Sequence, residues 1–280
     1  MRLLTILKKT IRFMKRKEYI PVVTQKNDSE IFRGKVALVV GGSGGIGAAV
    51  AKKLVAQGCK VVITGTNEEK LNKICKSINS TNDVRIRYIS LDLLDIDSMK
   101  KKIDEVPSLF EENRVDILVN SAGVYSDASF MSITESEYDR VMDINLKGLY
   151  FVCKYVSEIM IKQGIKGHIL NVSSASSLRP AINPYGISKW GVRGFTVGLA
   201  NELIKKGIVV NAIGPGPVAT AMNGRGEGDT IAHPSNPSGR CATTEEIAEL
   251  VCYMVSGRAD MVVGDTFYIS GGGGITSLHC

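Results

Sequence analysis

Residues 36–47 read VALVVGGSGGIG, an apolar run followed by a glycine-rich turn and the start of an apolar helical pattern. A short apolar run bounded by glycines is typical of a strand buried on both faces of a parallel sheet. The helix that follows is predicted over residues 46–55. Glycines at such a turn let the backbone approach a pyrophosphate, whose charge is stabilised at the helix N-terminus. A plain tight turn is the alternative, and the strand–turn–helix context favours the nucleotide site.

The same rhythm of strands and helices continues along the chain. Further strands are predicted at 61–64, 84–90, 115–119, 168–172, 208–213 and 266–269, and further helices at 68–78, 98–110, 135–162, 185–206 and 244–255. Strands that alternate with helices predict an α/β domain, with a parallel sheet covered by helices on both faces. Residues 221–240 interrupt the rhythm with glycine and proline, and we interpret them as a lid over the site.

Length and charge exclude several classes of protein. The 280 residues suit one domain, and no run of about 18 apolar residues predicts a membrane-spanning helix. The net charge of +7 is concentrated in residues 1–20, which hold seven basic residues against one acidic residue. A nucleic-acid-binding domain would spread its basic residues over one face of the fold, so no nucleic-acid partner is expected.

The first 20 residues form an amphipathic pattern. Apolar residues recur at helical spacing, namely Leu3, Leu4, Leu7, Ile11 and Met14. One interpretation is a basic helix on an anionic membrane surface, and the other is a helix packed on its own domain or on a partner subunit. The chain therefore divides into a basic amphipathic N-terminal extension, residues 1–33, and a single α/β domain, residues 34–280.

Cysteine and histidine do not indicate a metal site. The six cysteines form no CxxC pair, and the three histidines are scattered along the chain. We expect no metal, reduced thiols and a cytoplasmic protein, because neither a disulfide framework nor a secretory signal is evident.

The end of the second predicted strand bears on the choice of nucleotide. It reads ITGTN, residues 63–67, and carries no carboxylate that would bind a ribose 2′-hydroxyl. A carboxylate there would repel a 2′-phosphate, and hydrogen-bond donors are available from Ser43, Thr66 and Asn67. The sequence thus favours NADP(H), although the absence of arginine leaves NAD(H) open.

Tyr185 and Lys189 share one face of a predicted helix because they are four residues apart. An adjacent ammonium group is expected to lower the pKa of a tyrosine and make it a usable proton donor. Tyr150 and Lys154 have the same spacing, so spacing alone does not decide. Only Tyr185 follows a strand that ends in serines, Ser173 and Ser174, and we interpret Tyr150 as a packing residue.

With these motifs in this order, residues 34–275 resemble the short-chain dehydrogenase/reductase family. The resemblance implies a single Rossmann-type domain, a doubly wound parallel sheet of about seven strands, and a catalytic set of Asn145, Ser174, Tyr185 and Lys189. It implies a cofactor site formed by Gly41, Ser43, Gly45, Ile46, Gly47, Thr66, Asn67, Asp92, Leu93, Asn120, Ala122, Gly123, Tyr185, Lys189, Pro215, Gly216, Val218 and Thr220. It also implies a homodimer or homotetramer built through the long helices, with residues 145–161 at the interface.

Three departures from the family pattern stand out. Val40 replaces a threonine before the glycine turn, and Ser121 replaces an asparagine. The segment from Ser174 to Tyr185 is short, which keeps Ser173 as an alternative to Ser174.

The resemblance implies hydride transfer between nicotinamide and a carbonyl or secondary alcohol. Tyr185 would act as general acid or base, Ser174 would orient the substrate oxygen, Lys189 would lower the tyrosine pKa and hold the ribose, and Asn145 would position a relay water. Segments 174–184 and 124–128 and the lid should bound the pocket, with Arg179, Arg225, His233 and Arg240 as candidate contacts for an anion. The alternatives are an NAD-dependent alcohol dehydrogenase and a nucleotide-binding scaffold without catalysis.

Overall fold

The computed structural model of the chain describes residues 30–79, 83–225 and 228–274, and the statements below refer to these residues. The amphipathic pattern predicted for residues 1–20 lies outside them. Within the described part, no helix is both long and apolar enough to cross a membrane.

Seven parallel strands form one sheet. Their bounds are β1 Val36–Val40, β2 Lys60–Gly65, β3 Ile86–Ser90, β4 Ile117–Asn120, β5 His168–Val172, β6 Val209–Pro215 and β7 Thr266–Ile269. The strand order is β3-β2-β1-β4-β5-β6-β7. From β1 the chain adds β2 and β3 on one side, and it then returns to add β4 to β7 on the other side of β1. The boundary between β1 and β4 is therefore a topological switch point. The predicted α/β fold is confirmed.

In the described residues, seven α-helices connect the strands. They are α1 Gly45–Ala56, α2 Glu68–Ile78, α3 Ile96–Glu105, α4 Glu135–Met142, α5 Leu149–Lys162, α6 Pro184–Leu203 and α7 Thr244–Met254. The long helical region predicted over residues 135–162 is confirmed, and within it a π-helical segment, Asp143–Gly148, joins α4 to α5. The helix predicted to reach residue 110 ends at Glu105, and Pro107 begins a separate 3₁₀ turn.

Polar side chains fix where most helices begin. Asn67, Asp95, Thr134, Asn183 and Thr243 each accept a hydrogen bond from a backbone N–H in the first turn of the helix that follows. These contacts satisfy donors that have no partner inside the helix. The local sequence therefore determines where five of the helices begin.

The core has two layers, one on each face of the sheet. Helices α1, α2 and α7 cover one face with buried Leu54, Leu71 and Val251. Helices α3, α5 and α6 cover the other, with Met99 and Val156 among the buried residues. Burial on both faces explains why the strands read as continuous apolar runs.

A buried polar network crosses the second layer. The Asn120 amide nitrogen donates to Asn171 Oδ1 at 2.9 Å and to Cys153 Sγ at 3.2 Å. Asn171 in turn donates to Thr196 Oγ1 at 3.0 Å. The network joins β4, β5, α5 and α6, so it fixes the relative positions of the elements whose carboxyl ends meet at the sheet edge.

We predict that Asn171→Ala lowers the free energy of unfolding by about 2–4 kcal/mol, since each buried polar group left without its partner costs roughly 1–3 kcal/mol. Urea denaturation measures the change. Asn201→Ala, at an exposed position on α6, is the control and should change stability by less than about 0.5 kcal/mol. Equal stabilities of the two variants would contradict a stabilising role for the network.

Candidate functional site

The glycine turn after β1 is packed against two neighbouring segments. Gly41 has a φ of +79°, and a Cβ there would lie 2.6 Å from the Ala122 backbone. A Cβ at Gly47 would lie 2.3 Å from the Gly41 carbonyl oxygen, and one at Gly45 would lie 2.8 Å from Thr220 Cγ2. Side chains are therefore excluded at all three positions, and the backbone of the turn faces the carboxyl edge of the sheet.

The N-terminus of α1 offers unpaired backbone donors. Gly44 provides no side-chain cap, and the first turn of α1 carries no acidic residue. Uncapped N–H groups and the positive end of the helix dipole favour an anion at this position. The geometry fits a pyrophosphate held by backbone groups.

The end of β2 lies beside this turn. A Cβ at Gly65 would lie 2.9 Å from Ser43 Oγ, so Ser43 approaches the strand end. Thr66 is exposed there. The Asn67 side-chain oxygen is used as the cap of α2, where it accepts from Lys70 N at 2.9 Å. The first turn of α2 also carries the exposed carboxylates Glu68 and Glu69.

A cleft of about 1010 Å³ opens at the carboxyl edge of the sheet. Of the residues predicted from the sequence, its lining includes Ile46, Gly123, Ser174, Tyr185, Lys189, Pro215, Gly216, Val218 and Thr220. Residues from four separate parts of the chain thus share one cavity. Among the described residues, no group of three or more His, Cys, Asp or Glu is arranged to hold a metal ion.

Ser174, rather than Ser173, presents its hydroxyl to the cleft. Ser173 Oγ donates to the Lys189 backbone carbonyl at 2.9 Å and is held in the structure. Ser174 Oγ accepts from Ser176 N at 3.1 Å, and its contact with the Tyr185 hydroxyl acts to lower the tyrosine pKa. The two hydroxyl groups most suited to contacting one substrate oxygen are therefore those of Ser174 and Tyr185.

Lys189 is buried beneath the cleft. Its Nζ donates to the Val172 carbonyl at 2.9 Å and lies 5.7 Å from the centre of the Tyr185 ring. A Cβ at Gly123 would lie 3.4 Å from the same Nζ. Burial lowers the pKa of Lys189 to about 8, because the apolar surroundings disfavour the ammonium form.

The pKa of Tyr185 differs from the expectation. Burial raises it above the ordinary value, and the contact with Ser174 opposes that rise only in part. The lowering expected from Lys189 is not found in this arrangement, since desolvation of the phenolate is the largest effect. Tyr185 consequently keeps its proton at neutral pH, which suits a proton donor.

Asn145 lies in the π-helical turn between α4 and α5 and is fully buried. Its side chain accepts from Val124 N at 2.8 Å, and donates to Val124 O at 2.9 Å and Ser188 Oγ at 3.2 Å. These bonds join the segment after β4 to α6 below Tyr185. The side chain thus ties two walls of the cleft together, and the role of Asn145 in positioning a water stays a prediction.

The side chains of some predicted cofactor residues make contacts outside the cleft. Asn120 is directed into the buried network. Leu93 is buried, and a Cβ at Gly148 would lie 2.8 Å from its Cβ. Asp92 accepts from Leu94 N at 2.9 Å and so closes its own turn. The side chains of Asn120 and Leu93 support the fold around the site.

Sequence analysis missed Tyr268 on β7. Its hydroxyl lies 3.0 Å from Ser177 Oγ, which donates to the Ser174 carbonyl at 2.7 Å. A Cβ at Gly214 would lie 2.4 Å from the Tyr268 ring, so the ring packs directly on β6. The contact supports the loop that carries Ser174, and no local sequence pattern indicates it. Tyr125, which lies within the predicted wall 124–128, contacts Tyr185 edge-on with ring centres 5.1 Å apart.

Comparisons with known proteins agree with this geometry. A family model described as short chain dehydrogenase matches residues 35–229. The 3-oxoacyl-[acyl-carrier-protein] reductase FabG of Aquifex aeolicus is 33% identical over 86% of this chain and 97% of its own length. The acetoacetyl-CoA reductase of an Acinetobacter species is 36% identical over 85% and 97%. A structure of an actinorhodin polyketide ketoreductase variant with NADPH is 29% identical, with a TM-score of 0.79 over 86% of this chain and 98% of that one.

We predict that NADPH binding weakens as the pH rises through about 8. Lys189 loses its charge near that pH in the free protein, and a negatively charged dinucleotide raises its pKa in the complex. The complex therefore binds more protons than the free protein, and its affinity is greatest below pH 8. Each unit by which binding raises the pKa corresponds to a loss of affinity of about tenfold above the transition.

Calorimetric titration from pH 7 to 9.5, in two buffers of different ionisation enthalpy, measures both the affinity and the proton uptake. The Lys189→Met variant should bind more weakly and show no proton uptake near pH 8. An affinity of the native protein that does not change with pH would contradict the prediction.

Proposed function

The chain belongs to the short-chain dehydrogenase family and is an oxidoreductase, and from this premise we propose that it reduces a small carbonyl compound to a secondary alcohol, with NADP(H) favoured and Tyr185 as proton donor. The observation that carries the proposal is the meeting of Ser174, Tyr185 and Lys189 in one cleft beside the uncapped N-terminus of α1.

The residues present fit a nicotinamide dinucleotide. The glycine turn leaves backbone N–H groups free for the pyrophosphate, and Gly123 leaves room above Lys189 Nζ for a ribose. Pro215, Gly216 and Thr220 line the cleft where the nicotinamide would lie. The bound cofactor supplies the hydride, and the protein supplies position and electrostatics.

The preference for NADP(H) rests on the end of β2. Thr66 is exposed and uncharged, and Ser43 lies close to Gly65, so a 2′-phosphate meets hydroxyl donors rather than a carboxylate at these positions. Glu68 and Glu69 follow in the first turn of α2 and oppose this preference. The NADPH in the structure of the related ketoreductase supports it.

Within the site, Tyr185 donates its proton to the alkoxide that forms as hydride reaches the carbonyl carbon. Ser174 Oγ donates to the same oxygen and stabilises its developing charge. The Lys189 ammonium group would hold the ribose hydroxyls and would provide the nearby positive charge when the phenolate forms. Asn145 keeps the segment after β4 and α6 at a fixed separation.

Two alternative functions use the same scaffold. An NAD-dependent alcohol dehydrogenase would require NADH to bind more tightly than NADPH. A nucleotide-binding scaffold without catalysis would bind a dinucleotide and turn over no carbonyl. Relatives that are named as reductases, and the raised pKa that keeps Tyr185 protonated, favour reduction.

The remaining expectations stay predictions. A homodimer or homotetramer with residues 145–161 at the interface is supported by Tyr150, which is half exposed although its ring packs on Phe195. Three further predictions belong to the proposal. They are closure of residues 221–240 over the cleft, membrane contact through residues 1–20, and a cytoplasmic location. Free buried cysteines in the described part, such as Cys59 and Cys153, agree with a reducing environment.

We predict that Tyr185→Phe lowers kcat for carbonyl reduction by about 10²–10⁴-fold, because the general acid is removed. Affinity for NADPH should change by less than about twofold, since the phenyl ring retains its packing against Tyr125. Oxidation of NADPH is followed with a panel of ketones that includes acetoacetyl-CoA.

Tyr150→Phe is the matched control. Tyr150 has the same spacing to Lys154 but lies on the surface of α5, and its loss of a hydroxyl should leave kcat unchanged. Full activity of Tyr185→Phe would remove Tyr185 from the mechanism. Tight binding of NADPH without turnover of any ketone would favour the silent scaffold.

A further inference from the structure

Four basic side chains were candidates for an anionic substrate, and the structure separates them. Arg240 is used elsewhere, because its guanidinium group donates to both Glu246 oxygens at 2.7 Å. That carboxylate also accepts from Thr243 N in the cap of α7. Arg179, Arg225 and His233 line the cleft itself.

The main chain of Arg179 is fixed by two hydrogen bonds, and no carboxylate of the described residues neutralises its guanidinium group. Its carbonyl accepts from Trp190 Nε1 at 2.8 Å, and its N–H donates to the Ser176 carbonyl at 3.2 Å. A Cβ at Gly274 would lie 3.5 Å from Arg179 Nε, so the side chain rests against a glycine segment. No carboxylate of the described residues lies within ion-pair distance of it.

Arg225 reinforces the positive charge from the opposite segment of the chain. Its guanidinium group donates to the carbonyl oxygens of Thr230 and Ala232, the latter at 3.0 Å. Neutral carbonyls orient the group without cancelling its charge. It also forms no ion pair with a carboxylate of the described residues.

Arg179 lies in the same cleft as the proposed catalytic residues. Arg179 belongs to the same loop as Ser174, five residues further on, and the two line one cleft with Tyr185. The one carboxylate among the described lining residues is Asp127, in the segment after β4. Arg179 is exposed and its main chain is fixed by Trp190, so its guanidinium group is accessible to a ligand in the cleft.

Resting on the function proposed above, we propose that the substrate carries a carboxylate in addition to its reacting carbonyl and that Arg179 binds this carboxylate, with Arg225 adding positive charge. A guanidinium group offers two parallel N–H donors that match the two oxygens of a carboxylate. The carboxylate is unchanged by the reaction, in which the carbonyl carbon gains a hydride and its oxygen gains the proton of Tyr185. Arg179 is thus a specificity residue.

Two aldehydes that differ in charge and by a single methyl group separate recognition of a carboxylate from recognition of the aldehyde alone. They are 4-carboxybenzaldehyde and methyl 4-formylbenzoate, each tested with NADPH and the full-length protein. We expect kcat/KM at least about tenfold higher for the acid. Arg179→Gln should raise KM for the acid about tenfold, because a charge-assisted hydrogen bond is lost, and leave both kcat and the KM of the ester nearly unchanged.

Arg33→Gln is the matched control, since Arg33 is an exposed arginine before β1 that pairs with Glu30. It should not change either KM, and Arg179→Lys should restore part of the preference. Equal KM values for acid and ester in the native protein, or an unchanged KM for the acid in Arg179→Gln, would overturn the subsite.

Turnover of the ester alone would overturn the subsite and leave the reductase function intact. If neither aldehyde is reduced, calorimetric binding of 4-carboxybenzaldehyde to the protein loaded with NADP⁺ decides the subsite independently. Binding by the native protein that is lost in Arg179→Gln supports it, and absence of binding overturns it.

Discussion

The close approach of the glycine turn to its neighbours is the constraint on which the rest of the structure depends. Gly41 packs on the Ala122 backbone, Gly47 on the Gly41 carbonyl, and Gly45 on Thr220. These contacts bring the ends of β1 and β4 and the segment after β6 together at one edge. A side chain at any of these three positions would separate them, and the anion-binding end of α1 would no longer face the cleft that contains Tyr185.

The electrostatics of the cleft follow from burial. A lysine and a tyrosine placed under the carboxyl ends of β5 and β6 lose water, which makes charge unfavourable on both. The protein without cofactor thus favours a protonated Tyr185 and a Lys189 that titrates near pH 8. A bound anionic dinucleotide would return the lysine to its charged form, so the same burial that sets the proton donor also couples it to cofactor binding.

Sequence patterns predicted the order of strands and helices because both depend on local periodicity and turn residues. They could not predict the π-helical turn at Asp143–Gly148, since one extra residue in a turn barely alters an apolar pattern. The orientation of Asn120 into the core and the raised pKa of Tyr185 depend on neighbours far away in sequence. The contact of Tyr268 with Ser177 spans 91 positions and is visible only in the folded chain.

Binding of NADP(H) by the glycine turn and the end of β2 underlies the proposed function. Fluorescence titration of the purified protein with NADPH and with NADH, repeated on Thr66→Asp, tests this most directly. We expect tighter binding of NADPH to the native protein, and a reversed preference in the variant because the new carboxylate repels the 2′-phosphate. Tighter binding of NADH to the native protein would contradict the preference, and binding of neither would contradict the site itself.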